Sequence, residues 1–217
     1  MIVMMSLWRN DADRRLDARV AHLRAKGARD HAVRWLWTVG DSHDDTYARL
    51  VGLADDRVTV LRFDSGIPGE DVQASRLRTS WTASQMFQHL RDTDDLACLH
   101  ESDLVSPPDV LDRLIANPLP AAGWPTIKLN GDTLFYDVWA YRDLQGKHFS
   151  AGRTATAPFE VGSFGSCWMA PAALVRNRVI GEECVVDLCR QWRSAGVSLW
   201  VDPSIAIDQP VDLWEAR

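Results

Sequence analysis

The feature that most constrains this chain is a fourfold alternation of buried-strand and helix signals in its first half. Residues 2–8, "IVMMSLW", form an apolar run of the kind that marks a strand covered on both faces. Asn10 and Asp11 then offer helix caps, followed by an apolar stripe at Leu16, Val20 and Leu23 through about Lys26, with Gly27 closing the helix. "AVRWLWTV" (32–39) reads as a second strand, then the turn "GDSHDDT", a short helix over about 44–54 and a third strand, "RVTVLRF" (57–63). A Gly- and Pro-containing loop, "DSGIPGED" (64–71), leads to a longer helix over about 72–91. The fourth strand, "LACLH" (96–100), precedes a helix opened by Ser106-Pro107-Pro108. Strand and helix in strict alternation predict a mainly parallel sheet with helices on both faces.

The second half changes character. "WPTIKL" (124–129) and "TLFYDVWAYRD" (133–143) are strand-like, and Asn130-Gly131 between them is a hairpin signal. A polar loop over 144–160, a glycine-broken strand over 161–171, a helix over about 181–195 and a last strand at 197–203 complete the chain. The 217 residues, 46% hydrophobic and 25% charged, fit one α/β domain spanning 1–217, with a first part (1–117) and a smaller antiparallel region within 118–217.

The net charge of −6 argues against general affinity for nucleic acid or anionic membrane. Residues 1–34 nonetheless hold eight Lys or Arg against four Asp, so a local anion-binding face and a solvated Arg-rich helix are both open. The four cysteines show no CxxC pair and sit among apolar residues, as expected of free thiols in a reducing compartment. No apolar run approaches the roughly 20 residues of a membrane span, and "MIVMMSLWRND" lacks the basic start of a signal peptide. The expectation is a cytoplasmic protein.

In an open α/β sheet, ligands bind beyond the carboxyl ends of the strands. Three strands here end in polar sets: Trp8-Arg9-Asn10, Asp41 to Asp45, and His100-Glu101-Ser102-Asp103. Glu101 and Asp103, two apart in an extended turn, are able to address one side of the chain. Mg²⁺ or Mn²⁺ takes a carboxylate or two, with diphosphate oxygens and water completing the shell. Ser106 fits the following N-cap, which leaves both acids without an evident structural duty. Asp41 suits a nucleobase or ribose acceptor and equally an Asx turn, and Asp44 suits the cap of the next helix. Arg76 and Arg78 suit either a diphosphate or an exposed helix face.

The succession "SLWRND", "WTVGDSHDDT" and "LACLHESDLVSPPDVLDRL" resembles GT-A fold, family 2-like glycosyltransferases, which use nucleotide-sugar donors. The resemblance covers most of the chain, through loose motifs. It implies that Ser6, Trp8, Arg9 and Asp41 lie at the nucleotide, with Arg76, Arg78 and Ser102 near the diphosphate. "ESD" is similar to the family's D-x-D motif, which implies Asp103 as the first metal ligand and Glu101 as its looser partner, nearer the ribose or a metal-bound water. "VGSFGSCWMAPAALV" is similar to the glycine-containing strand below the sugar, which implicates Gly165 and Trp168. "GEECVVDLCRQW" is similar to the acid-led helix that supplies a general base in inverting relatives, which implicates Glu182 and Glu183. Trp139, Tyr141 and Arg142 suit an acceptor platform, with Trp168 also at the acceptor, or else a half-buried aromatic strand. Relatives carry a metal-binding His after the final strand; here Asp208 stands in that region.

The implied activity is transfer of a sugar from a nucleoside diphosphate sugar to a hydroxyl acceptor, either a saccharide or a hydroxymethylated base in phage-type DNA. A nucleotidyltransferase would carry a Gly-rich N-terminal loop, which "SLWRNDADRR" lacks. A non-catalytic nucleotide-sugar-binding domain is the other alternative.

Overall fold

The computed structural model describes residues 1–12, 15–129, 132–150 and 153–210. The chain runs β1 (Ile2–Trp8), α1 (Leu16–Arg24), β2 (Val33–Gly40), α2 (Thr46–Leu53), β3 (Val58–Phe63), α3 (Val72–Phe87), β4 (Leu96–His100) and α4 (Val110–Ile115). It continues with β5 (Ala121–Leu129), β6 (Asp132–Phe135), β7 (Phe159–Val161), β8 (Cys167–Pro171), α5 (Ala172–Val175), α6 (Val185–Ser194) and β9 (Leu199–Asp208). The strands form one sheet in the order β3-β2-β1-β4-β8-β5-β9-β7, with β6 beside β5. β1 pairs in parallel with β2 and β4, and β2 with β3. β8 enters antiparallel between β4 and β5, and β5 pairs in parallel with β9. The result is a single mixed α/β domain.

Side-chain alternation sorts the core into two faces. Met4, Trp8, Trp35, Trp37 and Val39 pack with Leu16, Val20 and Leu23 of α1 and Leu50 of α2. Val3, Met5 and Leu36 point the other way, onto Ala83, Met86 and Phe87 of α3 and Leu188 and Trp192 of α6. Both faces of β1 are therefore buried, which is why its sequence is an apolar run. Gly40 lets α3 close on the end of β2, because a Cβ there would lie 2.5 Å from Thr82 Oγ1.

Several expected boundaries move. α1 starts at Leu16, since Asn10 adopts φ 51° and its side chain instead accepts the His43 amide at 2.9 Å. α3 ends at Phe87 and α4 starts at Val110, without a Ser106 cap. The Ser106 hydroxyl is taken by His100, 2.8 Å from its Nε2, so a buried ring six residues earlier outcompetes the helix cap. Strand structure stops at Phe135 instead of Asp143, because Tyr141 drops into the core, where its hydroxyl donates to the Gly123 carbonyl at 2.7 Å. β9 is longer than expected and extends to Asp208 across a register shift in its pairing with β5. The Asn130-Gly131 signal lies outside the described residues.

Candidate active site

The carboxyl ends of β1, β2 and β4 do converge. They open onto a polar cleft of about 540 Å³, walled by Trp8, Arg9 and Asp11 on one side, Asp41 and Arg78 on another, and Glu101-Ser102-Asp103 on the third. A second cavity of about 290 Å³ lies against the other side of α3, lined by Phe87, Leu99, Tyr136, Asp137, Trp139 and Trp168 among others. The two share Leu7, Ser75, Thr79 and Glu101, so the Glu101 carboxyl sits where the polar cleft meets the more apolar chamber.

Beneath the acidic turn is a closed set of polar partners. His100 is fully buried, with Nδ1 2.8 Å from the Glu101 carbonyl and Nε2 2.8 Å from Ser106 Oγ. A carbonyl only accepts, so Nδ1 carries the proton and Nε2 accepts from Ser106. Burial pushes the His100 ring down to about 4, and the neighbouring His22 and Lys26 reinforce the effect, so it stays neutral. Lys26, itself buried, donates to the Ser106 and Pro107 carbonyls at 2.7 and 3.2 Å, and desolvation draws it down to about 8. These bonds fix the direction in which Glu101, Ser102 and Asp103 leave β4.

The acids themselves are supplied sparingly. Among the described residues the Glu101 carboxyl makes no hydrogen bond or ion pair, and burial, then Asp103 and Asp137, raise it well above the usual carboxylate range. Asp103 accepts from Gln209 Nε2 at 3.0 Å, and Gln209 Oε1 accepts from the Tyr136 hydroxyl at 2.7 Å. Asp137 accepts from the Ala140 amide and Ser166 Oγ, each at 3.1 Å, and burial raises it. Gly165 permits this approach, because a Cβ there would lie 2.9 Å from Asp137 Oδ2.

On the cleft's other walls, Arg78 is buried; its Nη1 donates to the Ile67 and Gly69 carbonyls, while Nε and Nη2 have no hydrogen-bond acceptor. The Nε of Arg9 is likewise buried and unpaired. Their Nη2 atoms lie 3.5 Å (Arg9) and 3.9 Å (Arg78) from the carboxylate of Glu70, an exposed residue of the 64–71 loop. Asp41 holds that loop by accepting the Ser65 amide and hydroxyl, both at 2.8 Å. Guanidinium N–H groups buried without a hydrogen-bond acceptor, as Arg9 Nε and Arg78 Nε and Nη2 are among the described residues, favour anionic oxygens.

The other expected site residues fall in several places. Ser6 is buried under the site and donates to the His100 carbonyl at 2.7 Å, so it supports the turn and does not line the cleft. Trp8 lines the cleft but is almost wholly buried against Trp37. Arg76 lies 4.2 Å over the Trp139 ring, and both line the chamber. Trp168 lines it too, fully buried edge-on to Trp192. Tyr141 is a core residue tied to two backbone carbonyls and offers no surface to an acceptor.

Arg142 turns away to a separate recess with Arg190 and Arg193, and pairs with Glu183 at 3.2 Å. Glu183 is held by Arg190 and by Arg142, which keep its carboxyl below the usual range, and neither it nor Glu182 lines the cleft or the chamber. Both precede α6 instead of opening it. Asp208 pairs with Thr126 Oγ1 and, at 3.5 Å, with Lys128. Its backbone bridges to Val105, which delivers the next residue, Gln209, to Asp103. Among the described residues, no three His, Cys, Asp or Glu side chains gather as a metal-binding group.

Asp137, Tyr136 and Gln209 were not expected from the sequence. Asp137 and Tyr136 were hidden in an apparent strand, and Gln209 lay one position beyond the residue singled out. A Ser75, Thr79, Ala83, Phe87 series at four-residue spacing was a legible signal for one helix face.

No protein-family model matches the chain, and no curated protein matches it in sequence. Solved structures do match it in fold. A crystal structure of GalNAc-T7 with UDP, GalNAc and Mn²⁺ aligns with a TM-score of 0.60 over 97% of this chain, at 12% identity. The chain spans 43% of that protein's length. The fold is GT-A-like. Among the described residues, no helix is long and apolar enough to cross a membrane.

Proposed function

We propose that the protein is a divalent-metal-dependent glycosyltransferase that takes a nucleoside diphosphate sugar in the polar cleft and presents a hydroxyl acceptor from the chamber. The observation that carries this reading is the place of Glu101, where an arginine-bearing polar cleft opens into a second cavity. The GT-A-like fold supports it, as does the GalNAc-T7 structure that holds UDP and Mn²⁺.

A divalent cation suits the residues present. Among the described residues the Glu101 carboxyl has no partner, and its charge is opposed by Asp103 and Asp137, a local excess of negative charge at the cleft wall. Glu101 and Asp103 would hold the ion through hard carboxylate oxygens, with donor oxygens and water as its other ligands. When bound, the ion neutralises charge on the departing diphosphate.

Arg78 and Arg9 bind and orient the anionic donor. Asp41 keeps the 64–71 loop against it. His100, Ser106 and Lys26 hold the Glu101 turn in place. In the transfer, the acceptor oxygen bonds to the anomeric carbon while that carbon's bond to the diphosphate oxygen breaks, and the electron pair leaves with the diphosphate. The hydroxyl proton passes to Asp137, the carboxylate that lines the chamber beside Glu101. This role replaces the one expected for Glu183, which two arginines occupy.

Thermal-shift measurements with UDP and other nucleoside diphosphates, with and without Mn²⁺, test the reading. A nucleotide at 100 times its dissociation constant raises stability by about 2.7 kcal/mol. Cation-dependent stabilisation that vanishes in Asp103→Asn is expected; no response across the panel refutes the proposal. Asp137→Asn is expected to keep nucleotide binding and lose about 10²–10⁴ in transfer rate.

A further inference from the structure

The chamber has a direction. One face of α3 steps from Ser75 to Thr79, then Ala83 and Phe87, four residues apart and so one above the other on the helix. Over about 18 Å of helix, at 1.5 Å per residue, the wall changes from hydroxyls to hydrocarbon. The hydroxyl end is the end shared with the polar cleft, where Glu101 sits. Past Thr79 the opposing walls are Leu99, Ile180, Leu188 and Trp168, all buried in the main core. The single polar atom these four side chains carry is the Trp168 indole N–H, which has no partner.

We infer that the acceptor is a hydroxyl compound with a compact apolar body: the body sits among Ala83, Phe87, Ile180 and Trp168, and the hydroxyl faces Glu101 and Asp137. This rests on the glycosyltransferase reading for the fate of the hydroxyl, but the binding itself does not. A saccharide carries hydroxyls on most of its carbons. Each of them, placed among these four side chains and away from Arg76, Tyr136 and Ser166 at the chamber's polar lining, loses its water and finds one side-chain donor. An aryl or branched alkyl group loses nothing there and gains apolar burial. A volume of about 290 Å³ falls just below the range of about 300–1,000 Å³ for drug-sized ligands, which fits a single ring or a short chain.

The test uses the full chain and two probes, 4-phenyl-1-butanol and glucose, each titrated with UDP and Mn²⁺ present and absent. Trp139 and Trp168 line the chamber, so tryptophan fluorescence reports occupancy, and calorimetry gives the affinity. Saturable binding of the phenyl alcohol is expected, at least tenfold tighter than glucose. Ala83→Phe fills the apolar end and should weaken that binding at least tenfold while leaving the UDP–Mn²⁺ affinity within twofold. Val185→Phe, at the partly buried lining, gives a second obstruction should the first variant fail to fold.

Glucose binding as well as or better than the alcohol overturns the inference, and so does alcohol binding that both substitutions leave unchanged. UDP–Mn²⁺ binding with no alcohol binding overturns the inference and leaves the transferase reading standing. Alcohol binding with no nucleotide binding does the reverse.

Discussion

A buried ion pair and a half-buried acid in this protein are built in opposite ways. Arg34 and Asp94 form a bidentate pair at 3.1 and 2.6 Å under the sheet, with both side chains nearly inaccessible. Asp94 Oδ2 also accepts the Arg91 amide at 2.6 Å, so three of about four acceptor sites on the carboxylate are filled. Burial pushes the Asp94 carboxyl up, but the Arg34 bonds and that amide outweigh it, and the carboxyl ends below its usual range. Glu101 is the reverse case. Burial and two neighbouring acids raise it, with no partner to compensate. The first arrangement is complete without a ligand, whereas the second is costly until something cationic arrives.

The largest expected effect that tests this contrast is Asp94→Ala. It strands a buried guanidinium and should cost about 3–5 kcal/mol in urea unfolding. Next, Arg78→Met removes the buried cation of the cleft and should weaken UDP–Mn²⁺ binding by about 10- to 100-fold, the span of a charged hydrogen bond worth about 1.5–3 kcal/mol. Glu101→Gln should leave stability unchanged or raise it by up to about 1 kcal/mol, because it relieves like-charge crowding, while cation-dependent nucleotide binding falls. A stability loss there as large as that of Asp94→Ala would erase the distinction.

The smallest effect is in the pH dependence. A carboxyl whose folded pKa is depressed contributes stability that is fully present above its unfolded value of 3.8 and is lost as pH falls through the folded value. The acid limb of a urea-midpoint profile should therefore be shallower in Asp94→Asn than in the parent, and the two profiles should run parallel above about pH 5.

The parallel half of the fold was largely readable because its signals are local. β1, β2, β3 and β4 each announce themselves as apolar runs, and the three polar strand ends do meet in one cleft, as a parallel sheet requires. The antiparallel half was read less well. "TLFYDVWAYRD" has strand composition throughout, yet apart from isolated bridges at Arg142 only its first residues pair, since Tyr141 gains more from the Gly123 and Gly165 carbonyls in the core. Local propensity gave way to a long-range polar tie. Ser106 differs from its expected role over a shorter span: the buried His100, six residues earlier, takes its hydroxyl in place of the helix end.

By itself, the amino-acid sequence determined that β1, β2 and β4 are buried, that the first four strands alternate with helices, and that Glu101 and Asp103 follow the carboxyl end of β4. Those properties depend on composition within a few residues. Only the tertiary structure decided what the acids meet. The register of β9 against β5 brings Gln209 onto Asp103 and commits Asp208 to Thr126 and Lys128. The fold of 136–140 puts Asp137 beside Glu101, and the ion pairs around α6 draw Glu183 away. Apart from the local Arg190–Glu183 pair, each outcome is set by pairing between segments 30 or more residues apart, and the identity of an acid does not encode which neighbour the register will supply.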